Sequence, residues 1–243
     1  MDRARVPTLR QLAFVTMIAF LPLPTAGYAS PMDDVPTGQN VATDPATSAM
    51  LAALVAVERE WSHISFELTD RDTRIQAMAA LAEQAGQLAS RYPGHAEPLI
   101  WQALALSSQA GLKGGMGALS LAREARALLE MAGRLDYHAV GGAVPTSLGS
   151  LYYKVPGFPL SFGDDDKARR YLEEGLAINP DGLDANYFYG DFLFQRGDYR
   201  KAAEVLAHGL AAPPIQDRPV WDAGRRAEIR VLLRHAQQKL AAG

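Results

Sequence analysis

Apolar residues recur every three or four positions in segment after segment downstream of residue 44. Near the C-terminus, Ile229, Leu232, Leu233, Ala236 and Leu240 mark one stripe. Trp101, Leu104 and Ala105 mark another, and Ala118, Leu121, Ala122, Ala125, Leu128 and Leu129 a third. Such spacing places side chains on one face of an α-helix. The pattern predicts helices over 46–67, 72–91, 96–110, 116–133, 142–154, 165–178, 184–196, 199–211 and 219–240. No stretch alternates β-branched and polar residues as a half-buried strand does, so the pattern predicts an all-α fold.

The chain also repeats itself. When Gly163-Asp164 is set on Gly197-Asp198, Ala168 falls on Ala202, Leu172 on Leu206, Gly175 on Gly209, Leu176 on Leu210 and Pro180 on Pro214. Each pair is 34 residues apart, the tetratricopeptide period. The positions suit a helical hairpin. Gly-Asp turns the chain and caps the second helix, alanine sits where helices approach closely, leucines fill the core, and proline stops the helix. The clearest units are 149–182 and 183–216, with Tyr189 and Gly190 as a large–small pair in the first helix of the second unit. Residues 96–133 and 46–91 read as divergent pairs. The helix over 219–240 caps the stack, as an open repeat array requires. Arg225, Arg226, Arg230 and Arg234 are expected on its solvated face.

The stretch "GSLYYKVPGFPLSFGDDDKARRYLEEGLAINPDGLDANYFYGDFLFQRGDYRKAAEVLAHGLAAPP" resembles a family of exported bacterial tetratricopeptide-repeat (TPR) proteins, as does "RYPGHAEPLIWQALALSSQAGLKGGMGALSLAREARALLE" upstream. More distantly the layout is similar to the T-component of tripartite periplasmic (TRAP) transporters. The resemblance covers roughly residues 85–235. It implies a TPR-like helical solenoid over 46–243 that holds a protein or peptide partner in its concave groove. Its transporter branch implies instead an accessory protein that binds a small or lipophilic ligand.

The N-terminus changes the picture of compartment. Arg3, Arg5 and Arg10 precede the apolar stretch Leu12 to Pro24, and small residues Gly27 and Ala29 follow. This is the pattern of a secretory signal, residues 1–29, cut after Ala29; the alternative reading is an uncleaved membrane anchor. The signal reading predicts a periplasmic protein with no stable membrane span after cleavage. Residues 30–45 hold three prolines without apolar periodicity and read as a flexible linker. The chain has no cysteine, which excludes disulfides, thiolate metal sites and a cysteine nucleophile. A formal charge of −3 gives no basic excess for nucleic acid.

Little in the sequence suggests chemistry. The five histidines, His63, His95, His138, His208 and His235, are far apart and give no metal spacing. "GLKGGMG" at 111–117 lacks the ending of a phosphate loop. Asp164, Asp165 and Asp166 suit a helix N-terminus, where the dipole favours carboxylates. No set supplies a nucleophile, a base and an orienting group, so no enzyme and no cofactor are expected. The unusual feature is "VPGFPLSF", where Pro156 and Pro159 break the repeat. The rings of Tyr152, Tyr153, Phe158 and Phe162 concentrate there. Either they fold back as a plug, or they extend a recognition strip in the groove with Tyr187, Asp191 and Phe194. Phe158 is expected in the plug, and Tyr187 and Asp191 in the groove.

Overall fold

A computed structural model describes residues 44–242. The signal sequence and most of the linker inferred above lie outside the described residues. Nine helices occupy the described chain: α1 (Pro45–Phe66), α2 (Arg71–Arg91), α3 (Ala96–Lys113), α4 (Gly115–Leu135), α5 (Ala139–Lys154), α6 (Asp165–Ile178), α7 (Leu183–Gln195), α8 (Tyr199–Ala211) and α9 (Pro219–Ala241). No strand is present among the described residues. One isolated β-bridge joins Gly157 and Gly163.

The expected boundaries agree with these helices because the capping residues act as the sequence implies. The carboxylates of Asp70, Asp164 and Asp198 accept hydrogen bonds from the backbone N–H groups of Thr73, Lys167 and Lys201. Each satisfies one of the donors that a helix start leaves without a partner. The start of α5 departs from the pattern. Val140, Gly141 and Gly142 have φ of 57°, 62° and 78°, so the regular helix begins at Ala143. A β-branched residue in this left-handed region is strained. Pro145 then falls in the first regular turn, where no N–H is required.

Consecutive helices pair as hairpins, and the odd-numbered helices also touch in order: α1 with α3, α3 with α5, α5 with α7 and α7 with α9. The last of them, α9, rests against α1 as well. This inner layer carries most of the core. Every residue from Ala143 to Val155 in and after α5 is buried, as is every residue from Leu183 to Leu193 of α7. The outer helices α6 and α8 bury only a stripe: Ala168, Leu172 and Gly175 in one, Ala202, Leu206 and Gly209 in the other.

The glycines show how closely each hairpin packs. A Cβ on Gly149 would lie 2.6 Å from Leu172 Cγ, and one on Gly190 would lie 2.6 Å from Leu206 Cγ. The two contacts are the same position in successive units, since Leu172 and Leu206 are one period apart. Gly149, however, stands fourteen residues before Gly163, whereas Gly190 stands seven before Gly197. The connection after α5 is therefore seven residues longer than its counterpart after α7. The first unit takes α5 as its first helix and begins upstream of residue 149, because the long connection hides the match from a fixed 34-residue offset.

Ala202 has no exposed surface, in keeping with a position where helices meet. Ala202→Leu is expected to destabilise by about 1–3 kcal/mol through overpacking. A melting temperature equal to that of the unaltered protein would contradict this register.

Candidate functional site

The seven residues that the sequence suggested as a recognition strip do not form one surface. Six of them separate into a buried network, an aromatic support and an exposed tip, and Phe194 stands apart from all three.

The network lies between α5, α7 and α9. Tyr153 Oη and Lys154 Nζ each donate to Asp191 Oδ2 at 2.7 Å, and Gln195 Nε2 donates to Oδ1 at 3.1 Å. Burial acts to raise the Asp191 pKa, but the Lys154 ammonium and these hydrogen bonds outweigh it, and the carboxyl lies below its ordinary value. Burial pushes the Tyr153 phenol well up, and the neighbouring Asp191 charge adds to the effect. Tyr187 is 5% exposed and Asp191 9%. Neither lines an open groove, which corrects the expectation from sequence. The physical reason is α9: the Arg225 guanidinium lies 4.5 Å from the Tyr187 ring centre and covers it.

Arg225 itself corrects a second expectation. It is completely buried rather than solvated. Its Nε lies 2.6 Å from Asp184 Oδ1, and its Nη1 lies 2.5 Å from Glu228 Oε2. Its position explains the burial, since Arg225 precedes the core residue Ile229 by one turn and shares its face. Burial raises the Glu228 carboxyl above its ordinary value despite the pull of Arg225. Arg226 is buried too. It pairs with Asp222 and donates to the carbonyls of Leu210, Ala212 and Pro213, closing the end of α8. Arg230 and Arg234 are exposed, as expected.

The aromatic support holds the long connection after α5. Phe162 meets Tyr152 edge-on at 5.5 Å, and Tyr152 stacks on Tyr171 at 5.7 Å. Arg126 lies 4.5 Å above the Phe162 ring. The backbone is tied at its base by Asp164 N–H to Tyr152 O at 2.9 Å and Gly163 N–H to Pro156 O at 3.0 Å. A Cβ at Gly163 would lie 2.2 Å from Val155 O, so only glycine fits this closure. Arg123 of α4 donates to Leu160 O at 3.0 Å. Phe194 stands apart from this support, part-buried against Tyr199 at 5.3 Å.

At the tip, Phe158 is 94% exposed and Leu160 64%. Tyr152 and Phe162 therefore do plug the irregular repeat, whereas Phe158 does not: the flanking Pro156 and Pro159 carry it outward. Phe158→Ala is expected to change stability by less than about 0.5 kcal/mol, the usual range for an exposed site, in a denaturant titration. A loss of several kcal/mol would mean that the ring is packed.

A feature missed in the sequence lies between α1 and α9. A cleft of about 620 Å³ runs between α1 and the start of α9. Its apolar lining is Leu51, Ala52, Val55, Pro219, Val220 and Trp221. Glu58, Arg59, Ser62, His63 and Glu67 continue it along α1, with Asp217 and Arg218 opposite in sequence. Glu58 and Arg218 form an ion pair that joins the two helices, and the Arg218 guanidinium lies 4.3 Å from the Trp221 ring centre. One sign was available: Leu51, Ala52 and Val55 are apolar yet fall outside the buried α1 stripe of Met50, Leu54, Val57, Trp61 and Ile64.

No group of three or more metal-binding side chains that could hold an ion occurs among the described residues. His63 pairs with Glu67, and His208 with Asp181. The glycines at 114 and 115, with φ of 66° and 64°, make the turn between α3 and α4.

A search of curated proteins found no match to this chain. A family model described as tetratricopeptide repeat matches residues 160–238. That span begins in the tied connection and takes in α6, α7, α8 and nearly all of α9. Together with the stacked hairpins and the 34-residue spacing of Leu172 and Leu206, the match supports a tetratricopeptide-repeat protein with an all-α, TPR-like solenoid fold.

Proposed function

We propose that this protein is an exported, periplasmic scaffold without catalytic activity, which holds a protein or peptide partner. The observation that carries the reading is the tip of the long connection. Phe158 and Leu160 present apolar side chains to water from a backbone pinned at both ends. Apolar side chains grouped on one exposed tip, unlike those scattered singly, suit a contact site, and a fixed loop loses little entropy when a partner binds. The contact is assigned to this tip rather than to the inner helices, whose rings are already covered. With a formal charge of −3, the chain has no basic excess to attract nucleic acid. No helix among the described residues is long and apolar enough to cross a membrane.

Site-specific photo-crosslinking tests the scaffold reading. A crosslinking amino acid at position 158 is expected to capture a defined protein in intact cells. The same group at position 194, part-buried in α7, is expected to capture none. Absence of an adduct at both 158 and 160 would remove the tip from the function. Export rests on the N-terminal pattern alone. The mature chain is expected to begin at Ser30, and N-terminal sequencing of periplasmic protein that returns Met1 would overturn it.

A second reading, an accessory protein of a transport system that carries a small lipophilic ligand, is favoured by a separate observation. The cleft between α1 and α9 has the volume and the mainly apolar walls of a small-molecule site.

A further inference from the structure

The lining of the α1–α9 cleft changes character along its length. Leu51, Ala52 and Val55 come from the first half of α1, whereas His63 and Glu67 lie at its end. At 1.5 Å per residue, Leu51 and Glu67 are about 24 Å apart. An apolar wall thus leads into a polar end, the shape of a site for an amphiphile.

The sign of the polar end can be read from its groups. Glu58 is engaged by Arg218. Glu67 is half exposed and meets His63 at 2.7 Å. It is also the C-cap residue of α1, where the last carbonyls of the helix gather partial negative charge. The whole lining contains three carboxylates, Glu58, Glu67 and Asp217, against two guanidiniums, Arg59 and Arg218. His63, the remaining ionisable group of the lining, is bonded to Glu67; the carboxylates exceed the guanidiniums by one, and this excess together with the carbonyls at the end of α1 opposes a carboxylate or phosphate head and attracts a cation.

We propose that this cleft binds a small cationic amphiphile. Its apolar tail lies along Val55, Val220 and Trp221, and its ammonium head meets Glu67. The proposal rests on the ligand-carrier reading above and adds the chemical class.

The test uses the purified mature chain with three probes below their micelle-forming concentrations: dodecylammonium, dodecanoate and the uncharged fluorophore N-phenyl-1-naphthylamine. Dodecylammonium is expected to bind once per chain, to displace the fluorophore, and to bind at least about tenfold more tightly than dodecanoate, a difference near 1.4 kcal/mol. Glu67→Gln, a change on a half-exposed side chain, is expected to remove most of that preference while leaving fluorophore binding intact. Ala52→Trp fills the cleft from an exposed position and is expected to abolish binding of all three at an unchanged melting temperature. Equal affinity for dodecanoate and dodecylammonium, or a preference untouched by Glu67→Gln, overturns the cationic class and leaves a lipophilic site standing. Fluorophore binding that survives Ala52→Trp, or no binding by the unaltered protein, overturns the site and the ligand-carrier reading with it.

Discussion

Replacing Arg225 with alanine is expected to destabilise the fold by about 3–5 kcal/mol, the cost of breaking a buried ion pair from one side. The side chain has no solvent exposure, and Asp184 retains only 7%. Its removal takes this cation from the buried Asp184 carboxylate and the part-buried Glu228 carboxylate. It also uncovers the rings of Tyr187 and Phe188, which the guanidinium approaches at 4.5 and 5.2 Å. Arg225→Lys is expected to restore only part of the loss, because a point charge cannot serve two carboxylates and lie flat on a ring. Urea titration measures the effect as a lower midpoint with an unchanged slope. Arg230→Ala, on the exposed face, serves as the control, with an expected change within about 0.5 kcal/mol. Equal midpoints for the two variants would contradict the buried network.

Asp191→Ala is expected to cost a similar amount, about 3–5 kcal/mol, at neutral pH. Lys154 is left as a buried ammonium, 5% exposed, and the Tyr153 hydroxyl loses its acceptor. The effect has a defined pH dependence. The folded-state pKa of Asp191 lies below its ordinary 3.8. Its contribution is therefore complete above pH 3.8 and is lost as the pH falls through the folded-state value. The stability gap between variant and unaltered protein should stay constant down to about that pH and narrow in stronger acid. Because Lys154 is the last residue of α5, the variant should also loosen the connection that follows. Faster hydrogen exchange at the Asp164 amide, which donates to Tyr152 O, would report it. A gap that widens in acid would contradict the assignment.

The helices were legible in the sequence because period, caps and breakers agreed. Asp164 and Asp198 cap as their spacing implied, and Leu172 and Leu206 are buried in equivalent places. What escaped was whatever depends on neighbours distant in sequence. Arg225 reads as polar and therefore external until Asp184, forty-one residues upstream, is seen to meet it. Tyr187 and Asp191 occupy positions that face the groove in an open array, and only α9 shows that the groove is filled. Within the aromatic stretch, Phe162 and Phe158 look alike in sequence. Arg126 and Tyr152 hold the first, whereas the second is left 94% exposed among the described residues. The cleft escaped for a related reason, since it is formed by the two ends of the described chain.

The contact between α1 and α9 changes how the molecule should unfold. In an open row of repeats, the outermost units have a single neighbour and fray first, and stability is nearly a sum over adjacent pairs. Here Glu58 meets Arg218 across 160 positions of sequence, and the Phe66 ring packs so closely that a Cβ on Gly224 would lie 2.3 Å from it. α1 and α9 support each other, so melting of either must also release the other. Unfolding should therefore be a single cooperative transition rather than a progression from the ends. The cost is kinetic: a contact this distant in sequence raises the contact order and slows folding relative to an open array of the same length.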